Sequence, residues 1–78
     1  MASRYTNGAS IHALRKALGQ RQDSLAAQAG ITASYLSRIE KGTQQPELEV
    51  TRRLADQLGV KLEAITYPVP EPALAGDS

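Results

Sequence analysis

The sequence predicts an all-α fold, a compact bundle of four to five short helices. Apolar residues recur at helical spacing, and no stretch of useful length alternates as a strand does. The 78 residues include three tyrosines but no phenylalanine or tryptophan, so the core must be built from Leu, Ile, Val and Ala. Leu and Ala are among the best helix formers. A chain of this length predicts one small domain.

The first helix is expected to follow a flexible N-terminal arm, residues 1–7. Either Asn7 or Ser10 is a suitable cap for its start. Gly19 is suited to end it in the left-handed conformation. The apolar stripe of this helix, at positions i, i+3 and i+7, consists of Ile11, Leu14 and Leu18.

Two short helical patterns follow, and each is closed by a glycine. One spans Gln22–Ala29 and ends at Gly30. The other spans Ala33–Lys41, with Thr32 as its N-cap and Gly42 as its end. The residues of the first of these patterns that are expected to point inward are Leu25, Ala26 and Ala29.

A fourth helix is predicted from about Glu47 to Leu58, with Gly59 after it, and a fifth turn or helix over Lys61–Ile65. Their expected core residues are Leu48, Leu54, Ala55, Leu58, Leu62 and Ile65. Residues 67–78 contain alternating prolines followed by small and polar residues. Because proline blocks a helix interior, this segment is predicted to be a disordered tail or an arm that docks on a partner.

The composition excludes several kinds of site. The chain has no cysteine, which excludes disulfides and thiolate metal sites, and its single histidine, His12, excludes a multi-histidine metal site. Neither a catalytic constellation nor a phosphate-binding glycine loop is present. The sequence therefore predicts that the protein is not an enzyme and needs no metal or cofactor. With no apolar run of membrane-spanning length and no pattern of a secretory signal, a cytoplasmic protein is expected.

The charge distribution indicates a polyanion-facing side. Residues 1–43 hold six basic and two acidic side chains, a net of +4, whereas residues 44–78 hold three basic and six acidic ones. The charges of a small domain can also be unevenly distributed by chance, so charge alone does not decide between nucleic acid and other partners.

The segment Gln22–Lys41 has the packing pattern of a helix-turn-helix. Ala26 lies where the two helices would cross, and a small side chain there permits close approach. Gly30 lies where the chain must turn, which often requires a positive φ. Three apolar side chains are expected to point back into the core beneath the turn: Ile31, Leu36 and Ile39.

The helix Ala33–Lys41 carries a polar stripe opposite Leu36 and Ile39. Small hydroxyl side chains let a helix backbone approach base edges, and an arginine can donate two hydrogen bonds to guanine O6 and N7. Together with the turn, the stripe favours DNA contact over a merely solvated helix face. It is formed, at i, i+3, i+4 and i+7, by Ser34, Ser37, Arg38 and Lys41.

These residues resemble the lambda-repressor-like (Cro-repressor, XRE) family of DNA-binding helix-turn-helix domains. The resemblance covers about three-quarters of the chain, Gly8–Ile65, and is strongest over Ser34–Gly42 with Gln22 and Gly30 upstream. The other matching positions are Ile11, Leu14, Arg15, Gly19, Leu25, Ala26, Ile31, Pro46, Leu54, Ala55, Leu58, Gly59, Val60 and Leu62. Positions that depart from the family pattern are Gln20, Arg21, Ala33 and Thr51.

The resemblance implies a sequence-specific regulator of transcription, most simply a repressor, with residues 8–66 as the DNA-binding domain. Arg38 is the first candidate for base readout, beside Ser34 and Ser37; its alternative role is a surface salt bridge. Gln22 is similar to the family glutamine that contacts phosphate and braces the recognition helix. Ala33 either meets a thymine methyl or reads nothing. The phosphate candidates are Thr32, Lys41 and Thr43; the alternative role of Lys41 is a solvated cation at the helix end.

The resemblance also implies a structural ion pair between Arg15 and Glu40, and a homodimer that binds a palindromic operator on double-stranded DNA. The candidate dimer surface, on the fourth and fifth helices with the tail, consists of Val60, Leu62, Ile65 and Tyr67. The alternative is that these residues close the core. Two alternatives stay open: a protein-interaction module of the same fold, and an antitoxin or operon controller that binds both DNA and a protein through its tail.

Overall fold

The computed structural model describes residues 3–69, and over this range the protein is mainly helical, as predicted. A pair of short strands joins its two ends. The helices are α1 (Gly8–Ala17), α2 (Gln22–Gln28), α3 (Ala33–Lys41), α4 (Leu48–Leu58) and a 3₁₀ helix (Leu62–Ile65). The strands are β1 (Ser3–Thr6) and β2 (Thr66–Val69).

The helix ends follow from local capping. The Asn7 side chain accepts a hydrogen bond from the Ser10 amide at 3.1 Å, so Asn7 rather than Ser10 caps α1. Thr32 likewise accepts from the Tyr35 amide at 3.0 Å and starts α3 where the sequence predicts. At the other end of α3, Gly42 has φ +82°, the left-handed conformation that closes helices.

The core is aliphatic and lies between the helices. Its buried members are Ile11, Leu25, Ala26, Ala29, Leu36, Ile39, Leu54, Ala55, Leu58 and Ile65. The prediction that Leu18 and Leu48 point inward is wrong, because they are 54% and 47% exposed. Leu18 is the C-cap of α1 and Leu48 is the first residue of α4, so both lie at helix ends beyond the edge of the core.

The N-terminal segment forms a strand over Ser3–Thr6 instead of a free arm. It pairs antiparallel with Thr66–Val69, with Tyr5 opposite Tyr67. The prediction of no strands fails here because four residues are too few to show alternation. Pro68 also argues against a strand, yet proline is tolerated at sheet edges, and both strands of a two-stranded sheet are edges. The rest of the predicted tail, residues 70–78, lies outside the described residues.

Buried hydroxyl groups tie β1 to the helices. The Thr6 and Thr51 hydroxyl oxygens lie 2.7 Å apart, and Thr51 is fully buried. The Gln45 side-chain amide also accepts from the Thr6 amide at 3.0 Å and donates to the Thr6 carbonyl at 3.2 Å. Thr51, one of the positions that depart from the pattern of the family that the sequence resembles, thus has a polar partner that this strand supplies.

The start of α1 lies directly against the end of α3. Gly8 is buried there, and a Cβ at this position would overlap the carbonyl oxygen of Ile39 and lie 3.0 Å from the carbonyl carbon of Glu40. A residue without a side chain therefore permits this approach, which brings α1 beside the last turn of α3.

Candidate nucleic-acid interface

The turn between α2 and α3 sets the exposed face of α3. Gly30 has φ +76°, which confirms the predicted positive φ, and the Ile31 amide donates to the Ala26 carbonyl at 2.9 Å. Leu36 and Ile39 anchor the inner face of α3, each at most 1% exposed. The helix is therefore held against the bundle along one side and is open to solvent along the other.

The open side of α3 carries the predicted polar stripe. Ser34, Arg38 and Lys41 are exposed and Ser37 is half-buried. Because the opposite face is buried in the core, these side chains are the ones that a helix-sized groove would meet first.

Arg38 is held by its own helix. Its guanidinium carbon lies 5.8 Å from the centre of the Tyr35 ring, and its Nη1 donates to the Ser34 hydroxyl at 3.1 Å. Over residues 3–69 no carboxylate forms an ion pair with Arg38, so the described structure does not support the salt-bridge alternative. The guanidinium keeps donors available while its position is restrained.

Several other predicted contact residues already use their polar atoms. The Thr32 hydroxyl caps α3, and the Thr43 hydroxyl and amide both donate to the Arg38 carbonyl, at 3.2 and 3.0 Å. Ala33 is half-buried and packs against the core. Their roles toward DNA stay predictions. The groups still available for contact are hydroxyl lone pairs of Thr32 and Thr43 and the partly covered methyl group of Ala33.

Arg15 and Glu40 join α1 to the last turn of α3. Arg15 Nε donates to Glu40 Oε2 at 2.8 Å and Nη2 donates to Oε1 at 3.1 Å. The side chains are 10% and 4% exposed. A third guanidinium nitrogen, Nη1, donates to the Gln20 carbonyl at 3.0 Å. This bidentate geometry fixes the orientation of both side chains as well as their separation.

Two more side chains converge on Glu40. His12 Nδ1 lies 2.8 Å from Glu40 Oε1, and the Gln22 side-chain amide donates to the same oxygen at 3.2 Å. Glu40 therefore links α1, α2 and α3, and Gln22 holds α2 to α3 through this carboxylate.

These contacts shift the pKa values of the pair. Burial by itself raises the pKa of Glu40, but the hydrogen bonds from Arg15 and His12 and the positive charge of Arg15 outweigh it, so the net shift is downward. The hydrogen bonds to Glu40 also raise the pKa of Arg15.

The lowered pKa of Glu40 predicts an acid-sensitive contribution to stability. A carboxylate whose pKa is depressed by folding stabilises the fold fully above its unfolded pKa, and the contribution is lost as the pH falls through the folded value. We expect Glu40→Gln to be less stable than the parent near neutral pH. The difference should shrink as the pH drops below the ordinary glutamate value of 4.5.

Urea unfolding at a series of pH values between about 7 and 3 measures this difference. The matched control is Glu63→Gln, since Glu63 is exposed on the 3₁₀ helix. A Glu40→Gln deficit that stays constant down to the lowest pH would contradict the assignment.

Sequence reasoning missed two residues of this surface, His12 and Tyr35. From the sequence, His12 only excludes a multi-histidine metal site, yet it lies three positions before Arg15, on the same face of α1, and shares its carboxylate partner. Tyr35 lies three positions before Arg38, which is the spacing that stacks side chains along a helix. The i, i+3 relation was the available signal in both cases.

The described part of the chain shows neither a helix that is long and apolar enough to cross a membrane nor a group of ligand-type side chains that could hold a metal ion.

Comparison with known proteins places this architecture among transcriptional regulators. The helix-turn-helix family model matches residues 11–65. The HTH-type transcriptional regulator YazB of Bacillus subtilis is 33% identical over 61 residues, which cover 78% of this chain and 88% of that protein.

Two solved structures share the fold. The restriction-modification controller protein C.AhdI from Aeromonas hydrophila has a TM-score of 0.71 at 30% identity, covering 73% of this chain and 86% of that one. SinR, the master regulator of biofilm formation from Bacillus subtilis, in complex with DNA, has a TM-score of 0.67 at 33% identity, covering 72% and 90%.

Proposed function

Since the chain belongs to the lambda-repressor-like helix-turn-helix family, we infer that it is a DNA-binding regulator of transcription that acts as a repressor. The similar structure of SinR was determined in complex with DNA, which supports the same partner for this chain. The finer proposal is that the protein reads a specific duplex sequence with α3 in the major groove.

The observation that carries this proposal is the outer face of α3. B-DNA's major groove is about 12 Å wide and admits one α-helix, so the exposed side of α3 fits it as a unit. Arg38 projects from this face without a carboxylate partner in residues 3–69 and is steadied by Tyr35 and Ser34. A restrained guanidinium loses less entropy when it pairs with guanine.

Contacts to the DNA backbone would come from the residues that flank α3. Lys41 is exposed at the end of the helix, and Thr32 and Thr43 lie just beyond its two ends. Gln22 lies at the start of α2, and its side-chain amide donates one hydrogen to Glu40. The second amide hydrogen is available for a phosphate. Such contacts fix the register of the helix on the duplex and carry no sequence information themselves.

A homodimer on a palindromic site completes the proposal. The dimer surface expected from sequence needs one correction: Ile65 is fully buried and belongs to the core, so it is not free to contact a second copy. Val60 and Leu62 are half-buried and Tyr67 is 45% exposed, and these three remain the candidate contacts.

Selection of binding sites from a random duplex library tests the proposal, at a fixed salt concentration of about 150 mM because phosphate contacts are strongly salt-dependent. We expect enrichment of a palindrome whose half-sites lie about one helical turn apart. Arg38→Ala should relax one base position in each half-site, at a cost of about 1–3 kcal/mol.

The control variant is Arg52→Ala, which removes an exposed arginine of the same charge from α4 and should leave the selected sequence unchanged. Absence of any enriched sequence would refute sequence-specific binding and direct attention to a protein partner. An enriched site that Arg38→Ala leaves intact would refute the role of Arg38.

A further inference from the structure

A cleft of about 280 Å³ opens between α1, α2 and α3 beside the proposed DNA-reading face. Three of the five residues that line it are proposed to contact DNA, and a fourth, Glu40, accepts hydrogen bonds from Arg15. The fifth is His12, which has no role toward DNA in the proposed function. The lining residues are His12, Gln22, Ser37, Glu40 and Lys41.

The imidazole of His12 contacts Glu40 through Nδ1, whereas Nε2 has no hydrogen-bond partner in residues 3–69. Its Nδ1 lies 2.8 Å from the Glu40 carboxylate, so the carboxylate favours the form in which Nδ1 carries a proton and donates it. The side chain is 52% exposed. Neutral imidazole with a proton on Nδ1 presents Nε2 as an acceptor; imidazolium presents it as a donor.

The protonation state of His12 therefore sets how strongly this cleft attracts a phosphate. Two charged groups lie within hydrogen-bond distance of the imidazole Nδ1, Glu40 from α3 at 2.8 Å and Arg15 from its own helix at 3.3 Å. Lys41 is the remaining charged residue that lines the cleft, and Lys16 is exposed four positions after His12 on α1. Arg15 and Glu40 balance each other. Lys41 alone then leaves one positive charge, and an imidazolium raises it to two and adds an N–H donor.

We propose that His12 is a phosphate contact of the DNA-binding surface that forms only when its imidazole is protonated, so that DNA affinity falls as the pH rises. This inference rests on the proposed function. Imidazole is the side chain that ordinarily changes charge between about pH 5 and 8, and His12 is the one histidine of the chain. Glu40 stays ionised in that interval because its pKa is lowered.

Fluorescence anisotropy with a labelled mixed-sequence duplex of about 20 base pairs tests this directly, since phosphate contacts do not depend on sequence. For the parent protein we expect binding about tenfold weaker at about pH 8 than at about pH 6, the scale of one hydrogen bond to a charged group. The slope of log affinity against log salt should be less steep at the higher pH by about 0.9 per protomer, the value for one phosphate contact.

Two substitutions at position 12 separate charge from structure. His12→Gln keeps a neutral amide near Glu40 and should bind weakly at both pH values with one common salt slope. His12→Lys carries a permanent charge and should bind tightly at both. A mere structural role for His12 predicts neither this recovery by lysine nor a change in the salt slope.

The outcomes distinguish the two proposals. If His12→Gln retains the pH dependence and salt slopes of the parent, or if the parent binds DNA equally well at both pH values, the role of His12 is refuted while DNA binding stands. If neither the parent nor His12→Lys binds duplex DNA at any pH, the proposed function fails, and the role of His12 fails with it.

Discussion

Arg15→Ala is expected to lower the free energy of unfolding by about 3 kcal/mol, because it leaves a buried carboxylate without its charged partner. Glu40 is 4% exposed and accepts two of its hydrogen bonds from Arg15. The substitution also leaves the Gln20 carbonyl without its donor. His12 and Gln22 remain as donors to Glu40, which places the loss at the lower end of the range for broken buried pairs.

Arg21 provides a matched control, because it forms a similar bidentate ion pair with Asp23, with hydrogen bonds of 3.0 and 3.1 Å. There the side chains are 79% and 59% exposed, so water already solvates both charges. Urea unfolding followed by circular dichroism should show no measurable loss for Arg21→Ala. A urea unfolding curve of Arg15→Ala that superimposes on the parent curve would refute a structural role for the pair.

Much of the helical fold could be predicted because its signals are local. The Asn7 and Thr32 side chains cap the helices that they precede, and Gly42 takes the left-handed conformation directly after α3. Each of these signals lies within four residues of the structure that it determines. The inner and outer faces of α3 are likewise separated by spacing alone, since Leu36 and Arg38 differ by about 200° around the helix axis.

The strand pair and the Glu40 cluster depend on contacts between distant parts of the chain. Thr6 pairs with Thr66, and His12 meets Glu40 only once α1 has docked on α3. The strand pair has no local signal, and the local sign of the Glu40 cluster is limited to the i, i+3 spacing of His12 and Arg15. The buried Thr51 hydroxyl donates to the Glu47 carbonyl four positions before it, but its neighbour Thr6 is distant in the chain. The sequence pattern therefore predicts the two faces of α3, and the family resemblance predicts the Arg15–Glu40 pair. It predicts neither His12 as a further partner of Glu40 nor the strand pair.

Gly8→Ala is expected to destabilise the protein by about 2–3 kcal/mol, as overpacking of a close backbone contact does. Alanine is the better helix former, by at most about 1 kcal/mol in a helix interior, so propensity alone predicts the opposite sign. The steric effect dominates because the added Cβ would overlap the Ile39 carbonyl oxygen, which is backbone and has no rotamer with which to move away. Ala9→Ser, at the next and exposed position, should change stability by less than about 0.5 kcal/mol.

The same substitution also tests whether the α1–α3 contact acts as one unit. Separating the two helices at Gly8 would displace the last turn of α3, which carries Glu40, relative to the helix that carries Arg15. Gly8→Ala should then already weaken the ion pair, so combining it with Arg15→Ala should cost less than the two single losses added together. Strictly additive losses in urea unfolding would show instead that the close backbone approach and the ion pair stabilise the fold independently.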